Sequence, residues 1–137
     1  MAYVHIDPSE DALNKFNEFK TTNNISAIIL NIKRVEGCDQ VVFSKNFFQE
    51  DIEEEIINSL SDEEPAFIYR KINLNNQGEK IICILYYTKS MKAKRKMLYA
   101  IIHKELNEEL GDIFETISTE ETSDIYEENI LKKILLK

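Results

Sequence analysis

Residues 81–111 read IICILYYTKSMKAKRKMLYAIIHKELNEELG, and the reading of that stretch decides the fold. The run Ile81 to Tyr87 is apolar at every position, so a strand there has no face suited to water and must be covered on both sides by helices. Beyond it Met97, Leu98, Ile101, Ile102, Leu106 and Leu110 recur at three- and four-residue steps, the spacing of a helix with one buried face. That spacing predicts a long helix from near Met91 to Gly111. A central strand followed by a long crossover helix belongs to a layered α/β domain.

The same stretch carries a charge anomaly. Between Lys89 and Lys104 stand six basic residues and no acidic one, although the whole chain has 25 Asp+Glu against 17 Lys+Arg and a formal net charge of -8. Lys92, Lys94, Arg95 and Lys96 fall on the first turns of the predicted helix, where the macrodipole is already positive. Glu105, Glu108 and Glu109 fall on its last turns, where it is negative. Each such misplaced charge costs about 0.3–1 kcal/mol when exposed at low salt. A local rule broken at both ends of one helix marks that helix as a candidate site for an acidic partner.

Working outward, Ser9 is a plausible N-cap for a first helix whose apolar face is Ala12, Leu13, Phe16 and Phe19; the polar group 21–24 ends it. Ile25 to Ile32 and a shorter run around Val41-Val42-Phe43 read as a hairpin turning at Glu36-Gly37. Ile52, Ile56, Ile57 and Leu60 define a second helix, from near Gln49 to before Pro65. Ala66 to Leu74 and Lys80 to Thr88 form a second strand pair around the turn 75–78. After the long helix, Ile113, Phe114 and Ile117 give one short strand, and Ile125 to Leu136 a closing helix. The order predicts a mixed sheet of about five strands sandwiched between helices.

At 137 residues the chain is expected to be a single domain, 1–137, with a substantial core. Its 43% hydrophobic and 31% charged residues suit a soluble globular protein rather than a disordered one. The longest apolar runs fall far short of a membrane span, and the first residues, MAYVHIDPSEDAL, lack the pattern of a secretory signal. Cys38 and Cys83 are far apart and read as free thiols, which suits a reducing cytoplasm.

Catalytic chemistry finds no support in the sequence. The glycines Gly37, Gly78 and Gly111 are scattered, so no phosphate-binding loop exists. His5 and His103 lack neighbours that suggest a base or a metal ligand. Ser44 and Ser90 lack a nucleophile's context, and Cys83 reads as core. The acidic runs 50–64 and 105–128 lack the alternating ligands of a calcium loop and read as solvated helix faces. No catalytic residue, metal or cofactor is therefore expected. Nucleic acid is also disfavoured, because the acids on either side would repel a polyanion and one helical turn neutralises few phosphates.

Lys94-Arg95-Lys96-Met97-Leu98-Tyr99-Ala100 resembles the basic-x-Lys-Met-x-Tyr-Ala motif on the long helix of the actin-depolymerising factor homology family. Phe16-Asn17-Glu18-Phe19-Lys20 is similar to the end of that family's first helix. Ser123-Asp124-Ile125 with Ile130-Leu131-Lys132-Lys133-Ile134 resembles its last segment. The resemblance spans nearly the whole chain, in the order derived above. It implies the gelsolin-like ADF-homology fold and an actin-binding protein without enzymatic activity, associated with the cytoskeleton.

Within the family two branches are resembled. Lys94 and Lys96 are similar to the ADF/cofilin branch, which binds actin monomers and promotes filament turnover. The segments Thr22-Asn23-Asn24 and Glu64-Pro65-Ala66-Phe67-Ile68 look more like glia maturation factor, which binds the branching complex of actin-related proteins and removes branches. The ADF/cofilin branch is preferred. The resemblance assigns Ala2, Tyr3, Val4, Lys92, Lys94, Arg95, Lys96 and Met97 to the side that meets an actin monomer, and Lys80, Lys132 and Lys133 to a filament side. Implied partners are actin, monomeric first and filamentous second, or actin-related proteins, with phosphoinositide lipids as further ligands of the same bases. The protein is expected to act as a monomer. Ala2 and Tyr3 stand where that family commonly presents a phosphorylatable serine, so that form of control is not expected here.

Overall fold

The computed structural model describes residues 5–48, 52–74 and 77–135. Its elements run α1 (Glu10–Thr21), β1 (Ala27–Val35), β2 (Cys38–Phe47), α2 (Glu53–Ser59), β3 (Ala66–Leu74), β4 (Gly78–Tyr86), α3 (Ala93–Leu110), β5 (Ile113–Thr119), a 3-10 turn (Thr122–Ile125) and α4 (Glu127–Leu135). This is the order that the sequence predicts. The five strands form one sheet, β2-β1-β3-β4-β5. Neighbours are antiparallel except β4 and β5, which run parallel because α3 carries the chain back across the sheet between them.

Strand alternation divides the core in two. Ile28, Leu30, Phe67, Tyr69, Cys83 and Leu85 pack with Phe16 and Phe19 of α1 and with Tyr99, Ile102, Leu106 and Leu110 of α3. Ala27, Ile29, Ile68, Ile72, Ile82 and Ile84 pack on the opposite face with Ile56 of α2 and Ile130 of α4. β4 is buried from Ile81 to Tyr86, as a strand apolar on both faces requires.

Local chemistry sets the ends of the elements. The Ser9 hydroxyl accepts the Ala12 amide at 3.0 Å and caps α1. Glu36 and Gly37 both take positive φ, 50° and 82°, which turns β1 into β2 with the twist a tight hairpin needs. β2 is longer than expected, ten residues, because it pairs with β1 along its whole length despite polar side chains. α2 is shorter than expected, seven residues, and its predicted start at Gln49 lies outside the described residues. It stops at Ser59 because the Ser61 hydroxyl accepts the amides of Glu63 and Glu64, at 3.0 and 3.2 Å, and holds a turn in place of a helix. The closing helix also differs: 122–125 form a 3-10 turn, Tyr126 is extended, and α4 begins only at Glu127.

Candidate functional site

α3 is 18 residues long, with no acid in its first turn and no base in its last, so the inverted charge pattern is present in the folded helix. Lys92 occupies the N-cap position without a side-chain cap bond. The buried stripe is narrower than the sequence suggests. It consists of Tyr99, Ile102, Leu106 and Leu110, with Leu98 half-buried beside them.

Met97 and Ile101, read from their spacing as part of that buried face, point the other way and are 63% and 49% exposed. Apolar residues therefore occupy two sides of this helix, and only one has the sheet to cover it. The uncovered side carries Lys94, Met97, Ala100, Ile101 and Lys104, all exposed. An apolar strip bordered by bases is a surface suited to an acidic partner with an apolar groove.

The four clustered bases have different surroundings. Lys92 and Lys94 are exposed. Lys96 is half-buried, its ammonium 6.0 Å from the centroid of Tyr87. Arg95 is engaged internally: its Nε donates to both carboxylate oxygens of Glu64 at 3.0 and 3.2 Å, and Nη2 donates to Oε2 at 2.9 Å. Nη2 also donates to the Ile32 carbonyl at 3.0 Å. The Glu64 hydrogen bonds push the pKa of the guanidinium further up. Arg95 thus fastens the helix to β1 and to the segment before β3, whereas its sequence neighbours face outward.

Tyr99, quoted above within the family motif, is a core residue. Its ring lies 4.7 Å from that of Phe67, and its hydroxyl accepts the Ile32 amide at 2.8 Å. Burial pushes the pKa of its phenol up, partly offset by that amide.

Of the residues assigned to the filament side, Lys80 lies near the start of β4 opposite Ile72, its ammonium 5.6 Å from the ring of Phe114. Phe114 is the extra residue where the β4–β5 register shifts, and it is 41% exposed. Lys132 and Lys133 are exposed on α4; Lys133 reaches Asp124 at 3.4 Å. The other bases of the second strand pair are directed inward. Arg70, 6% exposed, donates to the Ile125 carbonyl at 2.7 Å and meets Glu53 at 3.3 Å. Lys71 donates to the Thr22 carbonyl at 2.7 Å. Ala2, Tyr3 and Val4 lie outside the described residues.

Sequence reading also missed a contact of His5. Its Nε2 lies 2.6 Å from Asp7 and its Nδ1 2.7 Å from Glu105 of α3, and the two carboxylates, Asp7 first, raise its pKa above the ordinary 6.5. The partner a hundred residues away is invisible to local spacing. Among the described residues no three His, Cys, Asp or Glu side chains converge as a metal centre, and no helix is long and apolar enough to cross a membrane.

A five-stranded mixed sheet between two pairs of helices, with an outward-facing basic and apolar strip on its longest helix, defines a binding domain of the ADF-homology fold. The chain belongs to the cofilin/tropomyosin-type actin-binding protein family, which it matches over residues 5–135. Several solved structures share the fold. Streptomyces griseoflavus cofilin is similar with a TM-score of 0.78 at 18% identity, over 94% of this chain and 96% of the other. Plasmodium berghei actin depolymerization factor 2 is similar with a TM-score of 0.78 at 20% identity, over 99% and 100%. Glia maturation factor from Caenorhabditis elegans is similar with a TM-score of 0.75 at 15% identity, over 97% and 99%. No curated protein matches the chain by sequence.

Proposed function

We propose that the protein binds actin monomers through the outer face of α3 and promotes filament disassembly and turnover in the cytoplasm, as an ADF/cofilin-type regulator without covalent chemistry. The observation that carries this reading is the exposed pair Met97 and Ile101 beside Lys94, on a helix whose opposite side is fully anchored in the core. Lys92, Lys94 and Lys96 meet acids of the partner, and Met97 supplies apolar contact together with the segment Ala2 to Val4. Arg95 positions the helix. Lys80, Lys132 and Lys133 form the smaller surface toward a second actin subunit.

A second reading, debranching through actin-related proteins in the manner of a glia maturation factor, is favoured by one specific observation. Only Lys92 and Lys94 of the four clustered bases are exposed, which weakens the basic character of the helix.

The Lys94→Ala/Met97→Ala variant separates these readings from others. Truncating one partner of a charge pair that binding buries costs about 2–5 kcal/mol, and removal of Met97 takes away the apolar contact beside it, so affinity for actin monomers should fall by more than tenfold while the fold is retained. Unchanged affinity in that variant would overturn the assignment. Binding of the unmodified protein to the purified branching complex, with none to actin, would decide for the second reading.

A further inference from the structure

The segment between α2 and β3 reads Leu60-Ser61-Asp62-Glu63-Glu64-Pro65. Ser61 is exposed, lies outside helix and strand, and is followed by three successive acids. The chain's other hydroxyls with nearby acids are placed differently. Ser9 caps α1, Ser59 lies in α2 with its hydroxyl donating to the Glu55 carbonyl at 2.8 Å, Ser118 and Thr119 lie within β5, and Thr122 and Ser123 lie in the 3-10 turn.

Ser61 also lines an open cavity of about 850 Å3, together with Lys33, Arg34, Ser59, Glu64 and Arg95. Arg34 pairs with Asp39 at 3.5 Å and Arg95 with Glu64 at 2.9 Å, while Lys33 makes no ion pair among the described residues. Three cations thus share a cavity with a hydroxyl whose present bonds are accepted from two backbone amides. The segment also touches the approach to α3, where the Ser90 hydroxyl donates to the Asp62 carbonyl at 3.5 Å.

We propose that Ser61 is a phosphorylation site for a serine/threonine kinase that reads acidic residues following its target, and that the phosphate draws Arg95 away from Glu64. In the transfer, the Ser61 oxygen forms a bond to the γ-phosphorus of a nucleoside triphosphate. The bond from that phosphorus to the β,γ-bridging oxygen breaks, the diphosphate leaves, and the hydroxyl proton passes to the kinase's base. The product carries a charge of about -1.5 to -2 at neutral pH and three strong acceptor oxygens. These oxygens can keep the Glu63 and Glu64 amides. The new charge repels the Glu64 carboxylate and offers Arg95 a bidentate partner, while Lys33 adds a further positive charge on the cavity wall.

The consequence for α3 rests on the function proposed above. The phosphate releases the Glu64 hold on the helix and adds negative charge to the segment that meets the approach to α3 through the Ser90–Asp62 hydrogen bond. Affinity for an acidic partner falls. This makes the segment an off-switch for the outer face of α3.

The test treats the purified full chain with an acid-directed serine/threonine kinase and ATP. One phosphate is expected on the peptide containing Ser61, and none there in Ser61→Ala. The Arg95 Nε–H resonance should shift in the phosphorylated protein. Its affinity for actin monomers should drop by about fivefold or more, with Ser61→Ala binding like the unmodified chain. Absence of phosphate from Ser61 overturns the site, and an unmoved Arg95 resonance overturns the exchange of partners. Unchanged actin affinity after full modification overturns the switch. If the unmodified chain binds neither actin nor the branching complex, the functional reading fails by itself, and the phosphopeptide and the Arg95 resonance still decide the site.

Discussion

The Ile32 amide donates to the Tyr99 hydroxyl at 2.8 Å, and the Ile32 carbonyl accepts from Arg95 at 3.0 Å. Pairing of β1 with β3 ends at Leu30, two residues earlier, so beyond that point β1 has no strand on this side. Two side chains of α3 take the place of the missing strand and satisfy both polar groups of one residue. The helix that carries the candidate binding face is in this way tied to the first hairpin.

Tyr99→Phe keeps the ring against Phe67 but removes the acceptor, leaving the Ile32 amide buried and unbonded. The expected loss is about 1–3 kcal/mol. Denaturant unfolding should show a lower midpoint with an unchanged slope; equal stability would mean that the amide finds another partner.

Arg95 and Glu64 should couple only modestly, because their side chains are 27% and 43% exposed. A double-mutant cycle of Arg95→Gln and Glu64→Gln is expected to give about 1 kcal/mol at low salt. The coupling should shrink as salt is added. Arg95→Lys should recover little of it, since an ammonium cannot reproduce the bidentate geometry.

His5 gives stability a pH dependence of definite sign. Asp7 and Glu105 raise its folded pKa above 6.5, so its contribution is fully present below about pH 6.5 and is lost as pH rises through the folded value. A titration of the imidazole by NMR should give a midpoint above 6.5. The stability difference between the unmodified chain and His5→Ala should be larger at pH 6 than at pH 9, and the reverse order would show that the carboxylates do not hold the ring.

The two cysteines should differ in reactivity. Cys38 is exposed at the start of β2, whereas Cys83 is fully buried and its thiol is pushed up to about 11 by desolvation. An alkylating reagent should label Cys38 in the native protein and reach Cys83 only on unfolding. Rapid native labelling of Cys83 would contradict its place in the core.

The sheet was legible in the sequence because its central strand is apolar on both faces and its turns carry their own chemistry. α1 was legible for a similar reason: Ser9 caps it, and Ala12, Phe16 and Phe19 all meet the core. The orientation of α3 was only half legible. Spacing located its apolar residues, but Met97 and Ile101 share that spacing with the buried stripe, and only the position of the sheet shows which side is covered. Charge counting likewise grouped Arg95 with its neighbours, because Glu64 lies thirty-one residues earlier in the chain. Contacts of that range, like that of His5 with Glu105, leave no local periodicity to read.

The division of α3 into an anchored side and an open side has a consequence for how such a chain can change. Tyr99, Ile102, Leu106 and Leu110 are constrained by everything they touch, while positions 94, 97 and 101 can be rewritten with little effect on folding. A single helix can therefore be readdressed to a different partner by a few surface substitutions, with the scaffold indifferent to which address it carries.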